Sequence, residues 1–281
     1  MAIAVALAII LVIAIAAALL VKSWPVLSSK PLWSLLSSST WKPFKGEFGY
    51  YAFIVGSLAV TGLAMLISVP VCLLSAIYLS EYAGERLRSA AKPFIDLLAG
   101  IPSVVYGLWG VLIIVPFVRS IGEKAGSATT GYSILAGGIV LAIMVFPFII
   151  SVTIEALRAV PVAAREASLS VGATRWQTVK HVVLRSTLSG IAAAVVLGFS
   201  RAFGETMAVL MVVGNVAKVP SSIFDPAYPL PALIANNYGE MMSIPLYDSA
   251  IMLAALLLFV VVVVFNVLAT IVLRRIEKRL A

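Results

Sequence analysis

Six long apolar runs divide the chain, and stretches that contain most of the charged residues separate them. An α-helix rises about 1.5 Å per residue, so about 20 apolar residues are needed to cross the hydrocarbon core of a bilayer. Each run reaches or exceeds that length. The pattern predicts an all-α, polytopic membrane protein, a single transmembrane domain over 1–281 with six transmembrane helices at 2–21, 50–79, 93–118, 132–152, 186–213 and 246–273.

A signal peptide is the competing interpretation of the first run, 2–21. Signal peptides carry a basic region before an apolar stretch of about 7–15 residues. The first run has no basic residue before it and is longer than that. We therefore predict a transmembrane helix, followed by an exposed outer loop over 22–49 whose Trp residues lie at the level of the lipid headgroups.

The middle of the third run contains residues that weaken a helix. Gly100, Pro102, Gly107 and Gly110 lie close together there. Non-helical backbone at membrane depth is tolerated where it faces protein or a water-filled cavity. The sequence therefore predicts a helix break marked by Gly100, Pro102 and Gly107, which is either a packing kink or part of a path through the membrane.

Residues 153–185 lie between two apolar runs, yet they contain five Arg or Lys residues, two Glu and the only His. Each charge at the centre of a bilayer costs roughly 2.5–3.5 kcal/mol, so this stretch is expected to lie in water. Apolar residues recur at helical spacing on both sides of Gly172: Ala156, Leu157, Ala159, Val160, Ala163, Ala164 and Ala167 before it, and Trp176, Val179, Val182 and Val183 after it. The pattern predicts two short helices that meet at a glycine turn and dock to a partner protein. The alternative is a basic loop with incidental helicity.

Lys and Arg are distributed unequally among the loops. Loops 80–92 and 155–185 and the C-terminal tail hold 12 of them, whereas loops 22–49, 119–131 and 214–245 hold 7. Because basic residues are in excess on the cytoplasmic side, both termini and residues 153–185 are predicted to be cytoplasmic, in a cell membrane. The net charge of +8 is divided among these loops and does not indicate nucleic-acid binding.

The residue content argues against an enzyme. With one His and one Cys, neither a metal cluster nor a Cys–His pair can form. The phosphate-loop motif G-x-x-x-x-G-K-[ST] and the nucleophile motif G-x-S-x-G are both absent from the sequence. We expect no catalytic residue, no metal and no cofactor in this chain, so any ATP that drives it would be bound by partner subunits.

Arg201 and Glu205 lie in the middle of the fifth run, four residues apart and therefore on one face of a continuous helix. Charges at that depth are by default candidates for a functional site, with a structural salt bridge as the alternative. The Arg fork donates paired hydrogen bonds to phosphate or carboxylate, so we predict a path for an anion. Gly190, Ala194 and Gly198 predict that another helix approaches this run closely.

Residues 166–184 resemble a known family motif. Glu166-Ala167-Ser168, then three residues, Gly172, nine residues and Val182-Val183-Leu184 are similar to the EAA loop of ABC-importer permeases. Ser168 replaces the second alanine of that motif, and Arg185 replaces a proline. The resemblance implies a coupling helix that docks on an ATP-binding subunit through Arg165, Glu166, Ala167, Ser168, Gly172 and Ala173.

A second resemblance covers nearly the whole chain. It is carried by Ile101-Pro-Ser-Val-Val-Tyr-Gly107, Arg201-Ala-Phe-Gly-Glu-Thr-Met-Ala208, and Gly214-Asn215 followed by Phe224-Asp-Pro226. These segments are similar to phosphate-importer permeases of the PstC type. The resemblance implies a type I ABC importer permease fold, with Arg201 and Glu205 in the substrate path.

The same resemblance implies a set of partners. These are a second permease of the PstA type, two ATP-binding subunits and an external phosphate-binding protein. The alternative functions are a permease for another oxyanion such as sulfate, molybdate or tungstate, and an ATP-independent anion channel or transporter.

Overall fold

A computed structural model describes residues 2–240, 244 and 246–280 of the chain. Within these residues the fold is mostly helical, which confirms the predicted all-α class. The helices are α1 (Ala2–Ser29), α2 (Leu32–Ser37), α3 (Tyr51–Ile77), α4 (Glu85–Gly100), α5 (Ser103–Trp109), α6 (Val115–Lys124), α7 (Ile134–Arg158), α8 (Val162–Ser170), α9 (Arg175–Thr178), α10 (Leu184–Ser186), α11 (Leu188–Phe203), α12 (Met207–Val212), α13 (Leu230–Asn237) and α14 (Tyr247–Leu280). Three π-helical segments continue α3, α5 and α9, at Tyr78–Tyr82, Gly110–Ile114 and Val179–Val183.

Five helical segments of the described chain are long and apolar enough to cross a membrane: Val5–Ser29, Tyr51–Tyr82, Ser103–Lys124, Ile134–Arg158 and Tyr247–Ile271. A sixth span results if the pair Arg175–Ser186 and Leu188–Phe203, bent by 67°, crosses as one unit. The chain is thus a multi-pass membrane protein.

The third run is interrupted where its glycines and proline predict a break, whereas the fifth run departs from the predicted single helix. In the third run, α4 already begins at Glu85 and ends at Gly100, and the span proper starts at Ser103. In the fifth run, Gly204 ends α11 and a separate helix, α12, follows from Met207. Both runs contain Gly or Pro inside apolar sequence, and these residues interrupt the helix without interrupting the hydropathy.

Helix α7 is the centre of the bundle, packing against α3, α4, α11 and α12. The close approach predicted along the fifth run is confirmed, and α7 is the helix that approaches. A Cβ added to Gly190 would lie 2.6 Å from Ala156 Cβ, and one added to Gly198 would lie 2.6 Å from Ile149 Cγ1. These glycines let the α7 and α11 backbones come together without a clash.

The predicted exposed loop over 22–49 is wrong in part, because much of it is folded. Helix α1 continues to Ser29, and a two-stranded hairpin pairs β1 (Trp41–Lys42) with β2 (Glu47–Phe48). The Trp41 ring makes edge contacts with the rings of Phe48, Tyr50 and Phe53, with centroids 5.0–5.7 Å apart. Trp41 therefore belongs to an aromatic core, whereas Trp24 and Trp33 are exposed.

Part of the predicted outer loop over 214–245 and of the basic tail cannot be compared with the structure. Residues 241–243 and 245 lie outside the described residues, as do residues 1 and 281 of the predicted domain. For 272–280 the structure describes only that they continue helix α14.

Candidate functional site

Residues 162–186 form two short helices that meet at a glycine turn, and we call this unit the knuckle. Helix α8 ends at Ser170, and Gly172 has a φ of 85°, in the left-handed region that glycine adopts readily. The next helix, α9, begins with a capping box, in which Thr174 Oγ1 accepts from the Gln177 N–H and the Gln177 side chain accepts from the Thr174 N–H. Local bonds therefore define the knuckle without help from a partner.

The outer side of the knuckle carries exposed apolar side chains. Val171 is 83% exposed at the tip and Trp176 is 56% exposed beside it, with Val162 and Leu169 also exposed. Glu166, Ala167 and Gly172 are exposed on the same short unit. An apolar cluster on an otherwise polar loop is typical of a contact with another protein. Sequence reasoning missed Val171, although an apolar residue directly before the turn glycine is a usable signal.

Arg165 lies on the opposite, bundle-facing side of the knuckle. Its guanidinium donates to the carbonyl oxygens of Val160 at 2.6 Å and Leu157 at 2.8 Å, and it pairs with Glu81 Oε1 at 3.0 Å. The two side chains of this ion pair are only 21% and 10% exposed. Arg165 therefore holds the knuckle against the bundle and offers little surface to a docking partner.

Ser168, which departs from the EAA pattern, also makes a bond within the chain. Its hydroxyl lies 3.0 Å from the Thr178 hydroxyl, and this hydrogen bond joins α8 to α9. Thr178 is buried. Ala173, the last of the predicted docking residues, is half-buried behind the turn. The six predicted docking residues thus divide into an exposed group and a group that supports the knuckle.

Arg201 and Glu205 do not share a helical face as predicted. Gly204 ends α11 between them, so the helical period that would align residues four apart does not hold here. Glu205 Oε1 instead accepts from the Ala208 N–H at 3.3 Å in the first turn of α12. The Arg201 guanidinium lies over the Phe148 ring, 5.5 Å from its centroid. Within the described residues, Arg201 forms no ion pair.

The interruption of the third run lies between Gly100 and Ser103. Pro102 precedes α5 in an extended conformation, and the Tyr106 hydroxyl reaches back over the interruption to donate to the Leu98 carbonyl at 2.8 Å. Gly107 lies inside α5 rather than at the break. A Cβ there would lie 2.6 Å from Met211 Sδ, so Gly107 allows close packing of α5 on α12. The two interrupted runs therefore meet inside the bundle.

Comparison with known proteins identifies relatives over most of the chain. The family model of the binding-protein-dependent transport system inner membrane component matches residues 68–281. A probable ABC transporter permease protein, YqgH of Bacillus subtilis, is 42% identical over 73% of this chain and 66% of its own length. The phosphate transport system permease protein PstC of Mesorhizobium japonicum is 35% identical over 94% of this chain and 85% of its own length.

Solved structures share the fold. A bacterial ABC transporter involved in the import of the acidic polysaccharide alginate matches with a TM-score of 0.63 and 17% identity. The match covers 89% of this chain and 86% of the transporter chain. At this identity the likeness establishes the architecture of an ABC importer permease and nothing about the solute.

Proposed function

The chain belongs to the family of binding-protein-dependent transport system inner membrane components, and from that premise we propose that it is a permease subunit of an ATP-driven phosphate importer. The observation that carries the proposal is the 35% identity to a phosphate transport system permease over 94% of the chain. In this role the chain forms half of the translocation path and has no catalytic residue or cofactor of its own. ATP is bound and hydrolysed by partner subunits.

The knuckle docks to an ATP-binding subunit. Its exposed apolar tip at Val171 and Trp176 supports this assignment, because covering apolar side chains with a partner protein removes them from water and favours association. The excess of Lys and Arg in the loops on one side supports a cytoplasmic position of the knuckle and both termini, where ATP is available. Movement of the ATP-binding subunit is then transmitted to the bundle through residues 153–185.

Arg201 receives the phosphate in the membrane. The guanidinium has no carboxylate partner within the described chain and lies over an aromatic ring, so its donors are available to an anion. One cation is insufficient for a dianion in a low-dielectric site. We therefore expect a second permease subunit, of the PstA type, to supply further cationic or donor groups opposite Arg201. An extracytoplasmic phosphate-binding protein delivers the anion to the outer loops over 22–49 and 214–245.

Transport by the complete complex in proteoliposomes tests this proposal. The complex is expected to take up labelled phosphate only with ATP and both ATP-binding subunits present, with weak competition from sulfate, molybdate and tungstate. Preferential uptake of one of those anions would assign a different oxyanion. Uptake without ATP would instead assign a channel or a secondary transporter.

A further inference from the structure

We propose that Glu81, Arg165 and Arg175 form a latch between the knuckle and the inner end of α3, and that this latch positions the knuckle for energy transfer. The inference rests on the proposed function, in which the knuckle receives movement from an ATP-binding subunit. It assigns a role in coupling to Glu81, which lies 84 residues before Arg165 and outside the EAA-like motif.

The ion pair between Arg165 and Glu81 is the first part of the latch. The Arg165 Nη2 atom lies 3.0 Å from Glu81 Oε1, and both side chains are mostly shielded from solvent. Arg165 also donates to two carbonyl groups at the inner end of α7 and just beyond it, those of Leu157 and Val160. A single guanidinium therefore joins the knuckle to the inner ends of both α3 and α7.

Arg175 is the second part. It comes from α9, on the other side of the turn glycine, and donates to the backbone carbonyl of Glu81. Its guanidinium also lies over the Tyr82 ring, 5.1 Å from the centroid. Arg88 of α4 donates to the carbonyls of Leu79 and Ser80 on the same turn, at 3.0 and 2.8 Å. The carbonyl groups exposed where α3 ends attract these cations.

The latch lies at the start of a continuous packing route to the substrate path. Helices α3 and α7 pack against each other, and both contact α11, the helix that carries Arg201. A displacement of the knuckle is therefore passed to α3 and α7 together. Without the latch, the knuckle keeps its internal bonds, namely the Ser168–Thr178 hydrogen bond and the Thr174 capping box, and its apolar packing around Ala76 and Val183. It loses the ion pair and the hydrogen bond that fix it to Glu81.

Because the knuckle can keep its own fold when its bonds to Glu81 are removed, conservative substitutions can test the latch. Glu81→Gln keeps the size of the side chain and an acceptor oxygen but removes the charge, and Glu81→Asp keeps the charge. Arg165→Gln removes the cation from the other side. The exposed pair between Arg119 and Glu123, 63% and 58% exposed and within one helix, provides the control Glu123→Gln.

The measurement is ATP hydrolysis by the complete complex in proteoliposomes, with and without the binding protein, together with phosphate uptake. We expect Glu81→Gln and Arg165→Gln to assemble with the ATP-binding subunits but to raise the ATP hydrolysed per phosphate imported by about threefold or more. Stimulation of hydrolysis by the binding protein should fall by a similar factor. The double variant should be no worse than the stronger single variant, because the two residues act as one pair. Glu81→Asp should recover part of the loss, and Glu123→Gln should match the wild type.

A wild-type ratio in Glu81→Gln would overturn the proposal, and so would a variant whose assembled complexes are fewer but fully coupled. That second result would mean that the pair only stabilises the fold. If the wild-type complex imports no phosphate, the proposed cargo is wrong. The latch is still tested in that case, because stimulation of hydrolysis by the binding protein does not require the cargo to be phosphate.

Discussion

Two Arg and Glu pairs in this protein show opposite relations between sequence distance and contact. Arg201 and Glu205 are four residues apart, yet they form no ion pair, because the helix ends at Gly204 between them. Arg165 and Glu81 are 84 residues apart, and their side-chain atoms lie 3.0 Å from each other. The pair that is distant in sequence, Arg165 and Glu81, joins two elements of the fold. Arg201, although close to Glu205 in sequence, has no carboxylate partner in the described chain.

The difference shows what each pair can do. A cation already bound to a carboxylate and two carbonyl groups, as Arg165 is, cannot readily release its donors to a passing anion. Arg201 keeps its donors available, and Glu205 is occupied at the start of α12. The first arrangement is suited to transmitting force and the second to binding a solute.

Replacing the unpaired cation should have the largest effect. We expect Arg201→Gln to lower phosphate uptake by at least about tenfold, since a hydrogen bond to a charged group is worth roughly 1.5–3 kcal/mol. The complex should still assemble, because no carboxylate in the described chain depends on Arg201. Labelled phosphate uptake and co-purification of the ATP-binding subunits measure the two properties. Arg119→Gln is the matched control, and normal uptake by Arg201→Gln would exclude this residue from the path.

The second largest effect should come from changing the backbone conformation of the knuckle at its turn glycine. Gly172 has a φ of 85°, a region that costs other L-residues roughly 1–2 kcal/mol, and a Cβ there would meet no atom within 4 Å. Gly172→Val should therefore weaken association with the ATP-binding subunit about tenfold through backbone strain. Gly172→Asn should retain it, because Asn tolerates this conformation. Co-purification measures both variants, and equal loss in the two would point to steric exclusion at the docking surface instead.

Glu166→Lys, which changes the exposed charge of α8, is expected to weaken association as well.

Variants of Glu205 distinguish a structural role of its carboxylate from a role as the counter-ion of a cation. Because its side chain accepts from the Ala208 N–H, Glu205→Ala should cost about 0.5–2 kcal/mol of stability, as the loss of a helix cap does. Glu205→Gln keeps an acceptor oxygen and should unfold close to the wild type. Thermal unfolding of the purified complex in detergent distinguishes the two variants. Equal destabilisation by Gln and Ala would show that the charge, and hence an ion pair, matters here.

The carboxylate of Asp225, in the outer loop, is bound by hydrogen bonds from neighbouring serines, unlike the ion-paired Glu81 and the carboxylate of Glu205 at the start of a helix. Hydrogen bonds from the Ser221 backbone and hydroxyl, and then from the Ser222 N–H, lower the pKa of Asp225 below its usual value. The stabilisation is therefore present above the ordinary Asp range of about 3.9 and is lost as the pH falls through the lowered pKa. We expect a small effect, visible as a lower protection factor of the loop amides below that range, that is, exchange faster relative to the intrinsic rate at the same pH. Asp225→Asn should show the lower protection factor already at pH 7, and a wild-type protection factor that does not change across this pH range would contradict the assignment.

The sequence predicted the parts of the molecule that depend on composition and local spacing. The membrane class, the two knuckle helices and the turn at Gly172 follow from hydropathy, helical periodicity and a glycine at the right place. The interruption near Pro102 was also visible, because proline and glycine mark breaks regardless of tertiary structure.

Tertiary contacts account for what the sequence did not reveal. The link between Arg165 and Glu81 depends on how α3 is placed beside α8, which no local pattern specifies. Trp41 was expected at the lipid headgroups but packs into an aromatic core that a short hairpin brings together. The end of α11 at Gly204 was hidden by uninterrupted hydropathy, and the expected alignment of Arg201 with Glu205 failed for that reason.

The accessibility of the knuckle tip tests whether ATP-driven movement enters the protein there. A single cysteine introduced as Val171→Cys, with the buried Cys72 changed to Ala, would be labelled by a membrane-impermeant maleimide in sealed vesicles of each orientation. We predict labelling only from the cytoplasmic side, and strong protection when the ATP-binding subunits are bound. Labelling from the outer side, or equal labelling with and without those subunits, would contradict the claim that ATP-driven movement enters the protein at this point.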